Sequence, residues 1–344
     1  MLRKILIVCL LLGGLAGIYA WSKYKAVVHP NVPAELTNEF VKIPTNATFS
    51  EVVNILFENG QIIDTVSFRE VSELMSYKKT TMRSGRFKIE AGWSNRQLIG
   101  HLRAGKQAPV KVVLSRGRFV EDIAGAAAKF IEADSASIVQ LFDNQRFIEE
   151  KGYTKATLMS LFIPNTYEFF WNTSPEKFFN RMVKEHDRFW KKNNRAQKAE
   201  ALGLTKAEVY TLASIVEKET NKVDEKDRIA GVYLNRLAKG IALQADPTAV
   251  FATRDFTARR ILNTHINFDS PYNTYKYPGL PPGPISIASI SSIDGVLNRE
   301  QHDYYYFCAK PDNSGAHAFA KTLAGHNRNA KAFQNWLNKQ RVFK

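Results

Sequence analysis

Two glutamates end the stretch TKAEVYTLASIVEKET, residues 205–220, and they are the first candidates for chemistry in this chain. Glu217 and Glu219 follow an apolar run, and a carboxyl group beside apolar neighbours can have a raised pKa and act as a general acid or base. The alternative from this stretch alone is that both are solvated residues near a helix end. Tyr210, Ser214 and Glu217 are spaced i, i+4 and i+7, which predicts that they share one helix face.

The element that must position these groups has a well-marked beginning. Thr205 and Glu208 have the spacing of a capping box, and Leu204 can pack on Val209 as a hydrophobic staple. The apolar spacing that follows predicts an amphipathic helix. We expect its apolar residues to raise the pKa of Glu217.

Three downstream loops offer groups that bind sugars. They are LQADPT at 243–248, SPYNTY at 270–275 and GLPPGPI at 279–285. Amides and carboxylates can form planar hydrogen bonds to hydroxyl groups, and tyrosine rings can stack on sugar faces. The alternative is that each loop is only a stable turn. The sequence contains no glycine-rich phosphate loop, nucleophile elbow or HExxH zinc signature.

The N-terminus predicts export. Arg3 and Lys4 precede an uncharged run over residues 5–22, close to the ~20 residues that span a bilayer, and their charge places the N-terminus in the cytoplasm. A cleaved signal peptide is the alternative, because residues 20–22 fit a small-x-small cleavage site. The only cysteines are Cys9 and Cys308, so we expect neither a disulfide in the exported portion nor a metal or cofactor. The net charge of +15 favours an anionic partner, and export argues against nucleic acid.

An internal sequence repeat precedes the helix predicted to carry Glu217 and Glu219. Strand, turn and helix follow one another in residues 41–60, 87–105 and 110–130, and the last two copies align without gaps. This unit resembles the LysM-like module, a small fold that often binds N-acetylated glycan, over residues 41–102. The alternative is that the repeat only packs.

The remaining pattern predicts an α+β fold with short strands and about six helices in the second half. Helices are expected at 137–151, 178–202, 225–239, 287–297 and 326–340, a hairpin at 303–310 and 316–320, and loops between 240 and 286. The predicted organisation is a membrane anchor at 1–24, a linker at 25–40, a LysM-like region at 41–130 and a catalytic domain at 131–344.

Four motifs in fixed order, SIVEKET, LQADPT, PYNTY and GLPPGPI, resemble the YceG-like family of endolytic murein transglycosylases. The resemblance implies that Glu217 is the catalytic glutamate. It implies substrate contacts from Gln244, Asp246, Thr248, Tyr272, Asn273, Tyr275 and His317, and it extends with less detail to Phe319, His326 and Asn327. One departure is Asn165, where the family has aspartate, and a role of that aspartate would be changed or moved to Glu168.

The same resemblance implies a lyase that cuts the MurNAc–GlcNAc β-1,4 bond of nascent glycan strands without water, leaves 1,6-anhydro-MurNAc ends and ends strand elongation. Glu217 would act first as acid and then as base. Glu219 and Asp246 are the candidates for the second carboxylate that a hydrolase would need. Glycan strands, the inner membrane and peptidoglycan synthases are the implied partners, with the catalytic domain in the periplasm. A muramidase and a non-catalytic glycan-binding scaffold remain alternatives.

Overall fold

The computed structural model describes residues 1–258 and 260–340, and its mixed helices and small sheets confirm the α+β class. The chain forms two compact units. Unit 1 comprises Met1–Lys111, Phe130–Ala133 and Glu168–Ser174, and unit 2 comprises Val112–Lys129, Asp134–Tyr167 and Pro175–Lys344. This division differs from the predicted boundary at residue 130, because the third strand–turn–helix copy belongs mostly to unit 2.

Unit 1 contains three helices after the first and one small sheet. Its elements are α1 (Leu2–Val28), β1 (Phe40–Ile43), α2 (Phe49–Glu58), α3 (Thr65–Leu74), β2 (Gly85–Lys88) and α4 (Asn95–Ala104). Strands β1 and β2 are antiparallel, with Val41 opposite Phe87. Capping boxes begin α2 at Thr48 and α4 at Ser94, so the local sequence fixes both helix starts.

The first helix is longer than the predicted anchor. It has 27 residues, and it is long and apolar enough to cross a membrane. It also runs through residues 25–28, which were predicted as linker, because nothing in that stretch ends a helix before His29. Ala26 and Val27 pack against the hydrophobic core of unit 1.

Unit 2 is mainly helical. Its elements, beginning at the strand that leads into it, are β3 (Val110–Leu114), α5 (Val120–Ala128), α6 (Ser135–Asp143), α7 (Gln145–Glu149), β4 (Asn165–Phe169), α8 (Pro175–Lys191), α9 (Arg195–Ala201), α10 (Lys206–Glu219), α11 (Lys226–Ala238), α12 (Asp246–Thr253), α13 (Asn263–Ile266), α14 (Ile290–Leu297), β5 (Tyr306–Ala309), β6 (His317–Ala320) and α15 (Leu323–Lys339). Strand β3 pairs with β4, and β5 pairs with β6 as the predicted antiparallel hairpin.

Three sequence predictions for this half were wrong. The basic helix at 178–202 is two helices, because Asn193 and Asn194 adopt the left-handed conformation with φ of 59° and 56°. The stretch 240–286 contains α12 and α13, the first begun by Asp246 and a proline at its N-terminus. Ten helices lie in the described part of residues 131–344, where about six were predicted.

The centre of unit 2 is α10. Every residue from Val209 to Val216 is buried, so this helix is not amphipathic as predicted but is surrounded by protein. It packs mainly against α14 and α11, and its capping box at Thr205 and Glu208 is formed as predicted. The C-terminal end of this buried helix carries the two glutamates.

Candidate active site

The two glutamates leave α10 in different directions. They are two positions apart, and residues at that spacing do not face each other on a helix. The side chain of Glu217 turns to a group of serines at the start of α14, whereas that of Glu219 turns to α11. The two carboxyl groups therefore have different environments and opposite pKa shifts.

Glu217 is held in a dense hydrogen-bond network. Its Oε2 accepts bonds from the hydroxyls of Ser289 and Ser292, each at 2.5 Å, and from Lys226 Nζ at 2.9 Å. Lys226 also donates to Ser289 and Ser291, both at 3.0 Å. Burial by itself would raise the pKa of Glu217, but the bonds from Ser289, Ser292 and Lys226 outweigh it and hold the pKa below its ordinary value. The expected upward shift was wrong.

The predicted shared face of α10 is confirmed, and it binds the chain's own backbone. Ser214 Oγ accepts from Ile285 N at 3.0 Å, and the Tyr210 hydroxyl accepts from Ala288 N at 3.2 Å. Glu217 Oε2 accepts from Ser289 N at 3.4 Å. This face therefore positions the end of the GLPPGPI motif and the residues that follow it.

The GLPPGPI motif itself allows a close approach of backbones. A Cβ placed on Gly283 would overlap the carbonyl oxygen of Ala156, so only glycine fits there. Gly279 has a φ of 92°, which side chains other than glycine rarely adopt. These two positions make the motif a packing element of unit 2.

Glu219 faces a cavity of about 400 Å³. The cavity is lined by Glu219, Tyr233, Arg236, Leu243, Gln244, Asp246, Tyr275, Tyr306, Phe307, Leu323 and His326. The Tyr233 hydroxyl donates to Glu219 Oε1 at 2.6 Å. Burial raises the pKa of Glu219 to about 7; the bond from Tyr233 lowers it and the charge of Asp246 adds to the rise. This carboxyl group can thus hold a proton near neutral pH.

The LQADPT and PYNTY motifs meet at this cavity. Gln244 N donates to Thr274 O at 3.1 Å, and Ala245 N donates to Thr274 Oγ1 at 3.0 Å. Gln244 has a φ of 49°, a strained conformation for a residue other than glycine, and its Oε1 accepts from Arg236 Nη2 at 2.8 Å. The Tyr275 hydroxyl donates to Asp246 Oδ1. Three of the predicted substrate contacts, Gln244, Asp246 and Tyr275, therefore line one cavity with Glu219.

Two other predicted contacts are buried clamps. Thr248 is fully buried, and its hydroxyl bonds that of Thr274 at 2.7 Å. Asn273 is also fully buried, and its Nδ2 donates to the carbonyls of His265, Ile266 and Phe268. Both side chains are used in holding the loops, so the structure leaves neither free to bind sugar.

Tyr272 and His317 lie away from the Glu219 cavity. The ring of Tyr272 packs on Phe251 with centroids 4.9 Å apart and lines a different cavity of about 330 Å³. His317 Nδ1 and N lie 2.9 Å from the two carboxylate oxygens of Glu225. Asn165 is exposed and accepts from Thr166 N at 2.8 Å. These residues were predicted to meet substrate, or to replace one that does, but the structure does not bring them to Glu219.

Sequence reasoning missed Tyr233 and Arg236, which α11 contributes to the cavity. Their i, i+3 spacing on one helix was the available signal. Arg236 is only 8% exposed, and its Nε has no hydrogen-bond partner among the described residues. In the described parts of the chain, no group of three His, Cys, Asp or Glu side chains could hold a metal ion. The cavity is therefore an acid-bearing, polar and aromatic pocket with one buried cation.

Comparison with solved structures places this architecture among YceG-like proteins. The crystal structure of a YceG-like protein from Listeria monocytogenes matches with a TM-score of 0.56 and 29% identity, covering 84% of this chain and 97% of that one. A model described as the YceG-like family matches residues 41–332, so the chain belongs to the YceG-like family. The resemblance carried by the four motifs is thereby confirmed.

Two relatives of this chain are both named endolytic murein transglycosylase. An endolytic murein transglycosylase of Bacillus subtilis is 28% identical over 321 residues, which is 88% of this chain and 87% of that protein. An endolytic murein transglycosylase of Streptococcus pneumoniae D39 is 26% identical over 325 residues, 86% of this chain. The aligned part is 58% of that longer protein.

Proposed function

We propose that this protein is an endolytic murein transglycosylase in which Glu219 is the catalytic acid and base. The observation that carries the proposal is a protonatable glutamate inside a polar, aromatic cavity formed by the family's own motifs. Glu217, the residue that the resemblance implied, is charged and held by three donors away from this cavity. The acid/base role therefore moves two residues along α10.

In the first step the neutral Glu219 carboxyl gives its proton to the glycosidic oxygen between MurNAc and GlcNAc. The bond from MurNAc C1 to that oxygen breaks, and positive charge develops on the sugar ring. Tyr233 occupies Oε1 of Glu219, whereas Oε2 has no hydrogen-bond partner among the described residues. We assign the proton to Oε2, which is accessible to a sugar in the cavity.

In the second step the glutamate, now charged, takes the proton from the C6 hydroxyl of MurNAc. O6 bonds to C1, which closes a 1,6-anhydro ring and returns Glu219 to its neutral form. Atoms balance without water, and the attacking group is already attached to the ring that it attacks. The acetamido group of the sugar or the carboxylate of Asp246 would stabilise the intervening charge.

The other groups of the cavity position the sugars. Gln244 and Asp246 are oriented by Arg236 and Tyr275, respectively, so their remaining lone pairs face the cavity in fixed directions. Tyr306 and Phe307 on β5 offer ring surfaces to sugar faces. Arg236 supplies a buried positive charge for an acetamido oxygen or a stem-peptide carboxylate.

A muramidase is the second candidate, because Asp246 gives the cavity a second carboxylate. Hydrolysis needs such a group to activate water or attack C1. In the structure the hydroxyl of Tyr275 already bonds Asp246, and the charge of Asp246 serves to raise the pKa of Glu219. Both features favour an electrostatic role for Asp246 and hence the transglycosylase. A non-catalytic scaffold would make no use of the proton that Glu219 can hold in the cavity.

We further propose that α1 is an uncleaved single-pass anchor of the inner membrane, with its N-terminus in the cytoplasm and both units in the periplasm. Its length and hydropathy support the anchor, and Arg3 and Lys4 in its first turn support this orientation. Tethered there, the enzyme would cut nascent strands beside peptidoglycan synthases. Glycan binding by the LysM-like region of unit 1 belongs to the same proposal.

The test is mass spectrometry of the ends formed from uncrosslinked glycan strands. We expect the native protein to produce ends that are lighter by one water. The Glu219→Gln variant should produce no such ends. The Glu217→Gln variant should produce the same anhydro ends at reduced yield. Glu217→Gln is the matched control, since the same change is made two residues away. Ordinary reducing ends would make the protein a muramidase. Full activity in Glu219→Gln would remove Glu219 from the mechanism.

A further inference from the structure

The end of α1 is built into unit 1. The helix rises about 1.5 Å per residue, and a hydrocarbon core takes ~20 residues, so roughly its last seven residues emerge from the bilayer. Trp21 and Tyr24, two residue types that are enriched at membrane–water interfaces, stack with ring centroids 5.8 Å apart. The emerging turn is bonded to unit 1: Lys23 Nζ donates to Glu70 at 2.8 Å, and Ala26 O accepts from Asn95 at 2.9 Å.

These contacts fix the direction of α3. Glu70 lies beside Lys23, Ser67 bonds Asn95 next to Ala26, and Asp64 N donates to the side chain of Asn31 at 2.7 Å. Residue numbers on α3 fall from 70 to 64 as those of their partners rise from Lys23 to Asn31, so α3 runs back toward the bilayer. Its last residue, Leu74, lies one turn beyond Glu70 and therefore nearer to the membrane.

Helix α4 runs the same way. Its first residue, Asn95, bonds Ser67, and Arg103 near its end donates to Met75 O at 3.0 Å. Both α3 and α4 consequently end on the side of unit 1 that faces the bilayer.

The residues at this end suit a phospholipid surface. Leu74 is 74% exposed, more than any other large apolar side chain outside α1 in the described chain. Five exposed basic residues surround the ends of α3 and α4: Lys78, Lys79, Arg83, Arg103 and Lys106. Arg83 donates to Ala104 O at 3.0 Å, which places it at the end of α4. The acidic Glu73 is paired with Lys78 at 2.9 Å.

We propose that Leu74 and these five basic side chains form a membrane-facing end of unit 1 that binds anionic phospholipid. Leu74 enters the headgroup layer, and the cations contact lipid phosphates. The occupant follows from continuity with α1, which enters the same bilayer, and from charge. The inference rests on the proposed anchor and not on the glycosidic reaction. It would hold unit 1 at the surface in one orientation rather than on a flexible linker.

The experiment uses the full chain in lipid nanodiscs with a fluorescent label on a single cysteine. Leu74→Cys is made with Cys9→Ser and Cys308→Ser, and Val66→Cys in the same background is the control, since it is 64% exposed at the other end of α3. Quencher-bearing lipids are expected to cause a several-fold larger loss of fluorescence at 74 than at 66. The loss should diminish with added salt and with Lys78→Glu and Lys79→Glu together.

The labelled proteins distinguish the anchor from the membrane-facing end of unit 1. A label on the native Cys9 reports the span itself, so absent quenching there would overturn the anchor, whereas quenching at Cys9 with equal signals at 74 and 66 would overturn the membrane-facing end alone. A signal at 74 that responds to soluble glycan strands and not to quencher lipids would assign this surface to glycan instead. Native anhydro-end production by each labelled protein confirms that it is folded.

Discussion

Glu217 and Glu219 are two residues apart at the end of α10, yet the pKa of Glu217 is lowered and that of Glu219 is raised to about 7. Glu217 accepts from Ser289, Ser292 and Lys226, so its pKa is lowered. Glu219 accepts from Tyr233 at the wall of the polar cavity, and burial raises its pKa to about 7. The helix separates the two groups because residues at i and i+2 point in different directions. One of them thus stabilises the fold while the other is free to transfer protons.

The pH profile should report the Glu219 proton. The first step needs the protonated carboxyl, and its pKa is raised to about 7, so kcat/KM should fall above about pH 7. Each further pH unit should cost about tenfold. Initial rates of anhydro-end formation between pH 5 and 9 measure this. The Glu217→Gln variant should keep the same alkaline limb of the pH profile. A shifted limb in that variant would mean that the catalytic proton is carried by Glu217.

Tyr233→Phe should move the alkaline limb of the pH profile to higher pH. The Tyr233 hydroxyl bonds Glu219 at 2.6 Å and lowers its pKa, because it favours the charged form. Without it the pKa should rise by roughly one unit, since a hydrogen bond to a charged group contributes about 1.5 kcal/mol. The same rate profile measures the shift. A limb that stays in place would mean that another group sets it.

The sequence could predict α10 but not which of its glutamates faces the cavity. The capping box at Thr205 and the shared face of Tyr210, Ser214 and Glu217 follow from spacing of residues close in sequence. What that face contacts depends on Ile285 and Ser289, some seventy residues away, and no local pattern specifies such a contact. An apolar flank therefore suggested a raised pKa that the distant serines reverse.

Loop residues show the same limit. Gln244, Asp246 and Tyr275 were predicted as substrate contacts and line the cavity, whereas Asn273 has the same sugar-binding chemistry but is used up by three backbone carbonyls. An amide side chain can bind sugar or hold a loop, and only its burial in the folded protein shows which of the two it does. Arg236 was missed because a cation on a helix is usually solvated, and its burial depends on packing.

Glu217→Gln should destabilise the protein. Lys226 is 5% exposed, and removing the charge of its partner leaves it poorly compensated, at a cost of about 3 kcal/mol. Because the folded pKa of Glu217 is below its ordinary value, its contribution is present above that value and is lost as pH falls through the folded pKa. Thermal unfolding should therefore show a clear loss at pH 7 that shrinks toward acid pH. Equal stability of both proteins at pH 7 would contradict the network.

Tyr275→Phe should reduce activity where Tyr272→Phe does not. The Tyr275 hydroxyl bonds Asp246 in the Glu219 cavity, and its loss should lower kcat/KM by roughly tenfold, the equivalent of one hydrogen bond. Tyr272 packs through its ring on Phe251 and lines the other cavity. Rates of anhydro-end formation for the two variants compare the cavities directly. Equal losses would mean that substrate occupies both.

Glu219→Gln should stabilise the protein in a way that depends on pH. Burial raises the folded pKa of this carboxyl from 4.5 to about 7, so its ionisation opposes folding above 4.5, and the penalty is complete above 7. Glutamine has the same shape and no charge, and it should add on the order of 3 kcal/mol at pH 8. At pH 4 both side chains are neutral, and the two unfolding temperatures should agree. Equal gains at pH 4 and pH 8 would assign the effect to packing and remove the evidence for a proton held on Glu219.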